Sequence, residues 1–231
     1  KDTIAGVKWL VPNWLPSGML TGMVGPPKAG KSALTLGGLV VPVITGNSWF
    51  GMIHNASDPG NVVWADTERR MAINMERAVK WNLPFDRIKT PFGGDDNLQA
   101  IDLANQEHLD RIFSVVCKYE AELFVVDSFR GSHGGDENSS RIQRSLENLS
   151  DIAQQTNCAI ALVHHTRKLG IDEEININSA RGSNAFLATI ALQIVLDQPD
   201  PQSEWRRIQV MGENFGSAPK PLGFRFTETG L

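Results

Sequence analysis

The chain has 231 residues, with 22 basic and 26 acidic side chains for a net charge of −4, and 41% of it is hydrophobic. That length can bury a sizeable core, and the composition excludes disordered, fibrous and low-complexity classes. The mild acidity argues against a free-standing cationic nucleic-acid binder, although charge can still be local.

The first predicted strand covers residues 19–25 and runs into Gly25-Pro26-Pro27-Lys28-Ala29-Gly30-Lys31-Ser32. A helical run, Ala33-Leu34-Thr35-Leu36, follows. The apolar stretch 33–45 is the longest in the chain, but Thr35, Gly37, Gly38 and Pro42 interrupt it. It falls short of the roughly 20 apolar residues a membrane span needs. A second strand at 61–67 ends in acids and leads to a helix over 69–82. Residues 93–105 read as a loop. Leu109, Ile112, Phe113, Val116 and Cys117 then mark the apolar stripe of a helix. A strand at 123–128 comes next. Ile142, Leu146, Leu149 and Ala153 mark another helix, with Ser140 and Gln143 spaced as a capping box. The strand 159–165 closes on His164-His165, and 166–180 reads as a loop. The strand 189–197 precedes two more, 205–211 and 222–227, joined by a Gly/Pro-rich turn without a helix between them.

Strands alternating with helices predict an α/β domain with a mostly parallel central sheet, and the tail predicts an antiparallel extension. Near-continuous apolar strands such as Leu123-Phe124-Val125-Val126 suit a sheet covered by helices on both faces. We expect one domain over residues 1–231. Residue 1 is Lys, which points to a domain cut from a longer chain. Cys117 and Cys158 lie in apolar stretches and read as buried thiols of a reducing, cytoplasmic compartment.

Residues 25–32 match G-x-x-x-x-G-K-[ST] in full. In that pattern backbone N–H groups wrap a phosphate at a helix N-terminus. Lys31 would reach the β- and γ-phosphates and Ser32 would ligate Mg²⁺, so ATP and Mg²⁺ are the expected ligands. Asp127 ends an apolar strand, as a Walker B acid does, and would help to hold the metal. Hydrolysis also needs a group that orients or deprotonates water. Asp66 and Glu68 share one side of an extended chain and are both candidates; Asp66 is the better helix N-cap type. Adjacent histidines on a strand face opposite ways, so at most one of His164 and His165 faces the nucleotide, with a structural role as the alternative. No Cys/His partner lies at zinc-ligand spacing. Phe50, Trp64 and Trp81 could stack on a base, with core packing as the alternative role.

These motifs together resemble the RecA-like ATPases, most closely the branch around the plasmid replication helicase RepA. The resemblance runs from Trp9-Leu10-Val11-Pro12 to Phe224-Arg225-Phe226. It rests on 25–32, Asp66-Thr67-Glu68, Val125-Val126-Asp127-Ser128-Phe129-Arg130, Asp136-Glu137-Asn138, His164-His165-Thr166-Arg167-Lys168 and Arg181-Gly182-Ser183. It implies that Glu68 is the catalytic base. It also implies that His165 links nucleotide state to the loop 166–180, which in such motors faces the pore or filament axis and can touch DNA. The expected function is an ATP-hydrolysing motor, a homo-oligomer such as a hexameric ring, acting on single-stranded DNA in replication. The alternative is a nucleotide-gated assembly or regulatory module that binds ATP without unwinding DNA. Two departures favour that alternative. The stretch 189–193 has no basic residue where RepA carries the arginine lent to its neighbour, so either Lys168, Arg181, Arg206 or Arg207 substitutes or hydrolysis is slow. The loop 166–180 pairs Arg167 and Lys168 with Asp172, Glu173 and Glu174, which makes a poor funnel for a polyanion.

Overall fold

The computed structural model describes residues 6–50, 58–68, 71–92, 101–132, 140–167, 175–179, 184–212, 215–216 and 218–231. A small hairpin of β1 (Trp9–Val11) and β2 (Leu15–Pro16) precedes β3 (Leu20–Gly25). Helix α1 then runs in three continuous pieces, Lys31–Leu34, a π-helical turn Thr35–Val40, and Val41–Thr45. The wide turn lets the helix pass into Pro42, so the stretch 33–45 stays helical. There follow β4 (Val62–Asp66), α2 (Met71–Lys80), β5 (Ile88–Lys89), α3 (Gln106–Lys118) and β6 (Leu123–Asp127). The remaining elements are α4 (Ser140–Thr156), β7 (Ala159–His165), α5 (Asn184–Thr189), β8 (Leu192–Asp197), β9 (Arg206–Met211) and β10 (Leu222–Phe224).

Eight of these strands form one sheet in the order β10-β9-β8-β3-β7-β6-β4-β5. From β8 to β5 every pairing is parallel; β9 and β10 add the antiparallel extension. Period-two alternation splits the core between the two faces. Leu123, Val125, Ala159 and Ala161 join Leu34, Leu36, Val40 and Ala78 on the face covered by α1 and α2. Phe124, Val126, Ile160 and Leu162 join Ile112, Leu146, Leu149 and Phe186 on the face covered by α3, α4 and α5. Among the described residues no helix is long and apolar enough to cross a membrane.

Several expectations change in detail. The strand placed at 189–197 begins at Leu192, because residues 184–189 are helical and the Thr189 hydroxyl donates to the Ala185 carbonyl. Ser140 is the first helical residue of α4, and Gln143 donates to Glu147 rather than back to it, so those two residues form no capping box. Cys117 is exposed, one turn past the edge residue Phe113, whereas Cys158 is buried and its thiol is pushed above the usual range. Strand β10 ends at Phe224, because Thr227 and Gly230 pair to close a turn of their own. Within the loop 166–180, Arg167 and 175–179 are described, while Lys168, Asp172, Glu173, Glu174 and Arg181 lie outside the described residues, as do Asp136-Glu137-Asn138.

Candidate functional site

Parallel register brings the chemistry to one edge. Asp66 pairs with Asp127, Asp127 with Val163, and Gly25 with His165, so four strands end along one edge, with Gly25 and His165 two residues beyond the level of Asp66 and Asp127. In an α/β sheet ligands bind outside that carboxyl edge. A cleft of about 200 Å³ opens there, lined by Lys28, Gly30, Lys31, Ser32, Glu68, Asp127, Ser128 and His165, and by Ile73, Asn74 and Arg77 from α2.

The loop between β3 and α1 is shaped for an anion. Lys28 and Gly30 both have positive φ, +64° and +93°. They turn the chain so that the first N–H groups of α1, which have no carbonyl behind them, point outward. Gly30 cannot carry a side chain, since a Cβ there would lie 2.7 Å from Cε2 of Phe226. Gly30→Ala should therefore destabilise the fold by about 2–4 kcal/mol, combining left-handed backbone strain with overpacking. Urea denaturation will read it, and Phe226→Ala should recover only the overpacking part.

Lys31 is buried, and its Nζ donates to the carbonyls of Gly25 (2.9 Å) and Pro26 (2.7 Å). It also lies 3.0 Å from His165 Nδ1. Burial pulls its pKa down to about 8, against the opposing pull of Asp127 and Glu68. His165 is pushed below its ordinary value by burial and by Lys31, which favours the neutral ring. Its Nε2 stands 3.6 Å from Glu68 Oε1. His164 points to the other face, buried between Phe129 and Phe186.

Asp127 is buried, and its carboxyl is raised to about 6, chiefly by burial, while a hydrogen bond from Ser32 opposes the shift. Those two oxygen donors touch each other at the mouth of the phosphate loop. Hard oxygen ligands beside a phosphate cradle suit Mg²⁺, which needs only one or two protein oxygens plus phosphate and water. Among the described residues no cluster of three His, Cys, Asp or Glu side chains could hold another metal.

Glu68 does not continue the strand. Strand β4 stops at Asp66, and Thr67 and Glu68 turn away, with the Glu68 N–H donating to Asp66 Oδ1 (3.2 Å). The two acids thus part company. Glu68 enters the cleft, while Asp66 fastens the turn; residues 69 and 70, between this turn and the described start of α2 at Met71, lie outside the described residues. Of the proposed finger substitutes, Arg207 is held by both oxygens of Asp197, and Arg206 lies over the Phe226 ring at 4.8 Å. Trp64 is buried in the core and Phe50 packs edgewise on Trp49. Sequence reasoning missed Asn74 and Arg77, which are joined by a 3.0 Å hydrogen bond on the cleft wall. Their only signal was the i, i+3 spacing of two polar groups on one helix face.

A phosphate loop at the edge of a RecA-like sheet, with an acid at the end of a nearby strand, defines the class as a RecA-like P-loop protein. The crystal structure of the RadB recombinase matches this fold with a TM-score of 0.65 and 20% sequence identity, over 94% of this chain and 90% of that one. The chain belongs to the AAA domain family AAA_25, whose family model matches residues 1–170. No curated protein matches the sequence.

Proposed function

We propose that this chain binds Mg²⁺–ATP in the 25–32 loop and hydrolyses it as the motor domain of a homo-oligomer acting on single-stranded DNA. The observation that carries the ATPase reading is the meeting of Lys31, Ser32, Asp127 and Glu68 in one cleft at the sheet's carboxyl edge. In this reading Lys31 leaves the Gly25 and Pro26 carbonyls for phosphate oxygens, a charge-assisted exchange. Ser32 and Asp127 would hold Mg²⁺, which would supply charge neutralisation to the nucleotide's phosphates. Glu68 accepts a proton from the water whose oxygen attacks the γ-phosphorus as the bond to the ADP oxygen breaks. His165 stands between Lys31 and Glu68, so its partners change when Lys31 moves, and it passes that change to the chain beyond Thr166.

The DNA and assembly parts rest on resemblance. The ordered motifs favour a ring-forming replicative helicase of the RepA type, with a hexamer as the expected size. The RadB likeness spans nearly the whole chain and favours a second version, in which the same ATPase assembles and works on DNA in recombination. A nucleotide-gated module that never unwinds DNA is the third version. Steady-state ATPase assays with and without single-stranded DNA test the common core. Turnover no higher than that of Lys31→Ala in both conditions would sink it. Light scattering with ATP and single-stranded DNA, followed by strand-displacement and strand-exchange assays, separates the three versions. A closed particle with displacement is the helicase outcome, an open-ended polymer with exchange is the recombinase outcome, and assembly with neither is the regulatory outcome.

A further inference from the structure

The turn that carries Glu68 is tied to the end of β6 by three hydrogen bonds. Thr67 donates its N–H to the Asp127 carbonyl (2.8 Å) and its hydroxyl to the Ser128 carbonyl (2.6 Å). The Ser128 hydroxyl donates in return to Glu68 Oε1 at 2.8 Å. Ser128 is only 2% exposed, so water has little access to compete for that bond. Gly131 makes the approach possible, since a Cβ there would sit 2.4 Å from Thr67 Oγ1. A hydrogen bond from a buried hydroxyl to an ionised acceptor is among the stronger neutral-donor contacts, and it fixes the rotation of the carboxylate it holds.

We infer that Ser128 is a positioning residue for hydrolysis, its hydroxyl holding the Glu68 carboxylate at the angle from which it meets the attacking water. The inference rests on Glu68 being the base. Its energetic logic is that of preorganisation: a misplacement of about 1 Å in a reacting group can cost on the order of 100-fold in rate. Losing one of several tethers should cost less. Ser128 does not line up phosphate or metal in this scheme, so its loss should fall on turnover and leave ATP binding alone.

The test is a double-mutant cycle with Ser128→Ala, Glu68→Gln and the pair, read by single-turnover hydrolysis and by ATP affinity. Ser128→Ala should lower the hydrolysis rate about tenfold, the scale of one charge-assisted hydrogen bond, with ATP affinity and KM within about twofold. In the Glu68→Gln background the same change should cost less than about twofold, because the carboxylate it orients is gone. Ser128→Thr, which keeps the hydroxyl, should recover most of the rate. Thr67→Val removes the neighbouring tether without touching Glu68 and should show the same split between rate and affinity. An unimpaired Ser128→Ala beside a slow Glu68→Gln overturns the inference alone. So does a tenfold loss that persists in the Glu68→Gln background, which would mean that Ser128 acts through Asp127 or the fold. Normal turnover in Glu68→Gln overturns the base assignment, and this inference with it.

Discussion

Lys31→Ala is expected to weaken ATP binding by about 100-fold and to reduce turnover to background, because it removes a buried cation at the phosphate loop. The loss should not be a folding defect. Lys31 is buried, and that burial lowers its pKa to about 8 from the 10.5 of an ordinary lysine. A lysine whose folded value lies below its unfolded value destabilises the protein while charged. That cost is full below pH 8 and fades between pH 8 and 10.5. In that window the unfolded chain binds more protons, so the parent gains stability as pH rises. The alanine variant has no such gain. Melting curves from pH 7 to 10 should therefore show the difference in Tm moving steadily against the variant. A variant that is merely unfolded at pH 7 would remove this explanation for its inactivity.

Glu68→Gln is the second large effect, and it should look different. The amide keeps the shape and can still receive the Ser128 hydroxyl on its oxygen, but it cannot take a proton. Turnover should fall roughly 100-fold or more, the usual scale for losing a general base, while ATP affinity stays within about threefold. Competition with a fluorescent nucleotide reads affinity, and phosphate release reads turnover. An equal loss of affinity in the lysine and glutamate variants would contradict the separate roles assigned to them. The contrast also separates the versions of the function. Assembly that needs ATP but survives Glu68→Gln would favour a nucleotide-gated module over a motor.

The acidic loop at 166–180 bears on DNA binding in a way that these variants do not. Arg167, the described basic residue of that loop, is exposed, and its N–H donates to the Ser179 carbonyl. If the loop meets single-stranded DNA, the affinity should depend weakly on salt, since few phosphates can be neutralised.

Much of the phosphate site was legible because its chemistry is local. Residues 25–32 are consecutive, and a loop that wraps an anion needs glycine and lysine at fixed offsets, so spacing alone located it. The sheet was legible for a similar reason: buried strands such as Leu123-Phe124-Val125-Val126 announce themselves by apolar runs of strand length, and β7 matches its predicted span at both ends. Ends of elements were less so. Thr189 looks like a strand residue by its branching, yet it caps off a helical turn because Phe186 and Ile190 bury against the core.

The choice between Asp66 and Glu68 shows what one dimension could not hold. An extended strand puts both acids on one side and does not choose between them, and only the family resemblance favours Glu68. In the fold, the Thr67 bonds to Asp127 and Ser128 stop the strand early and swing Glu68 alone into the cleft, and those partners lie some sixty residues away. Asn74 and Arg77 reach the same cleft by the placement of α2 over the sheet, and no motif marks them. Length and charge by themselves determine that this is a globular chain able to bury a sizeable core. Which acid faces the phosphate loop, and what holds it there, depended on contacts between distant strands, where register and side-chain hydrogen bonds decide over local spacing.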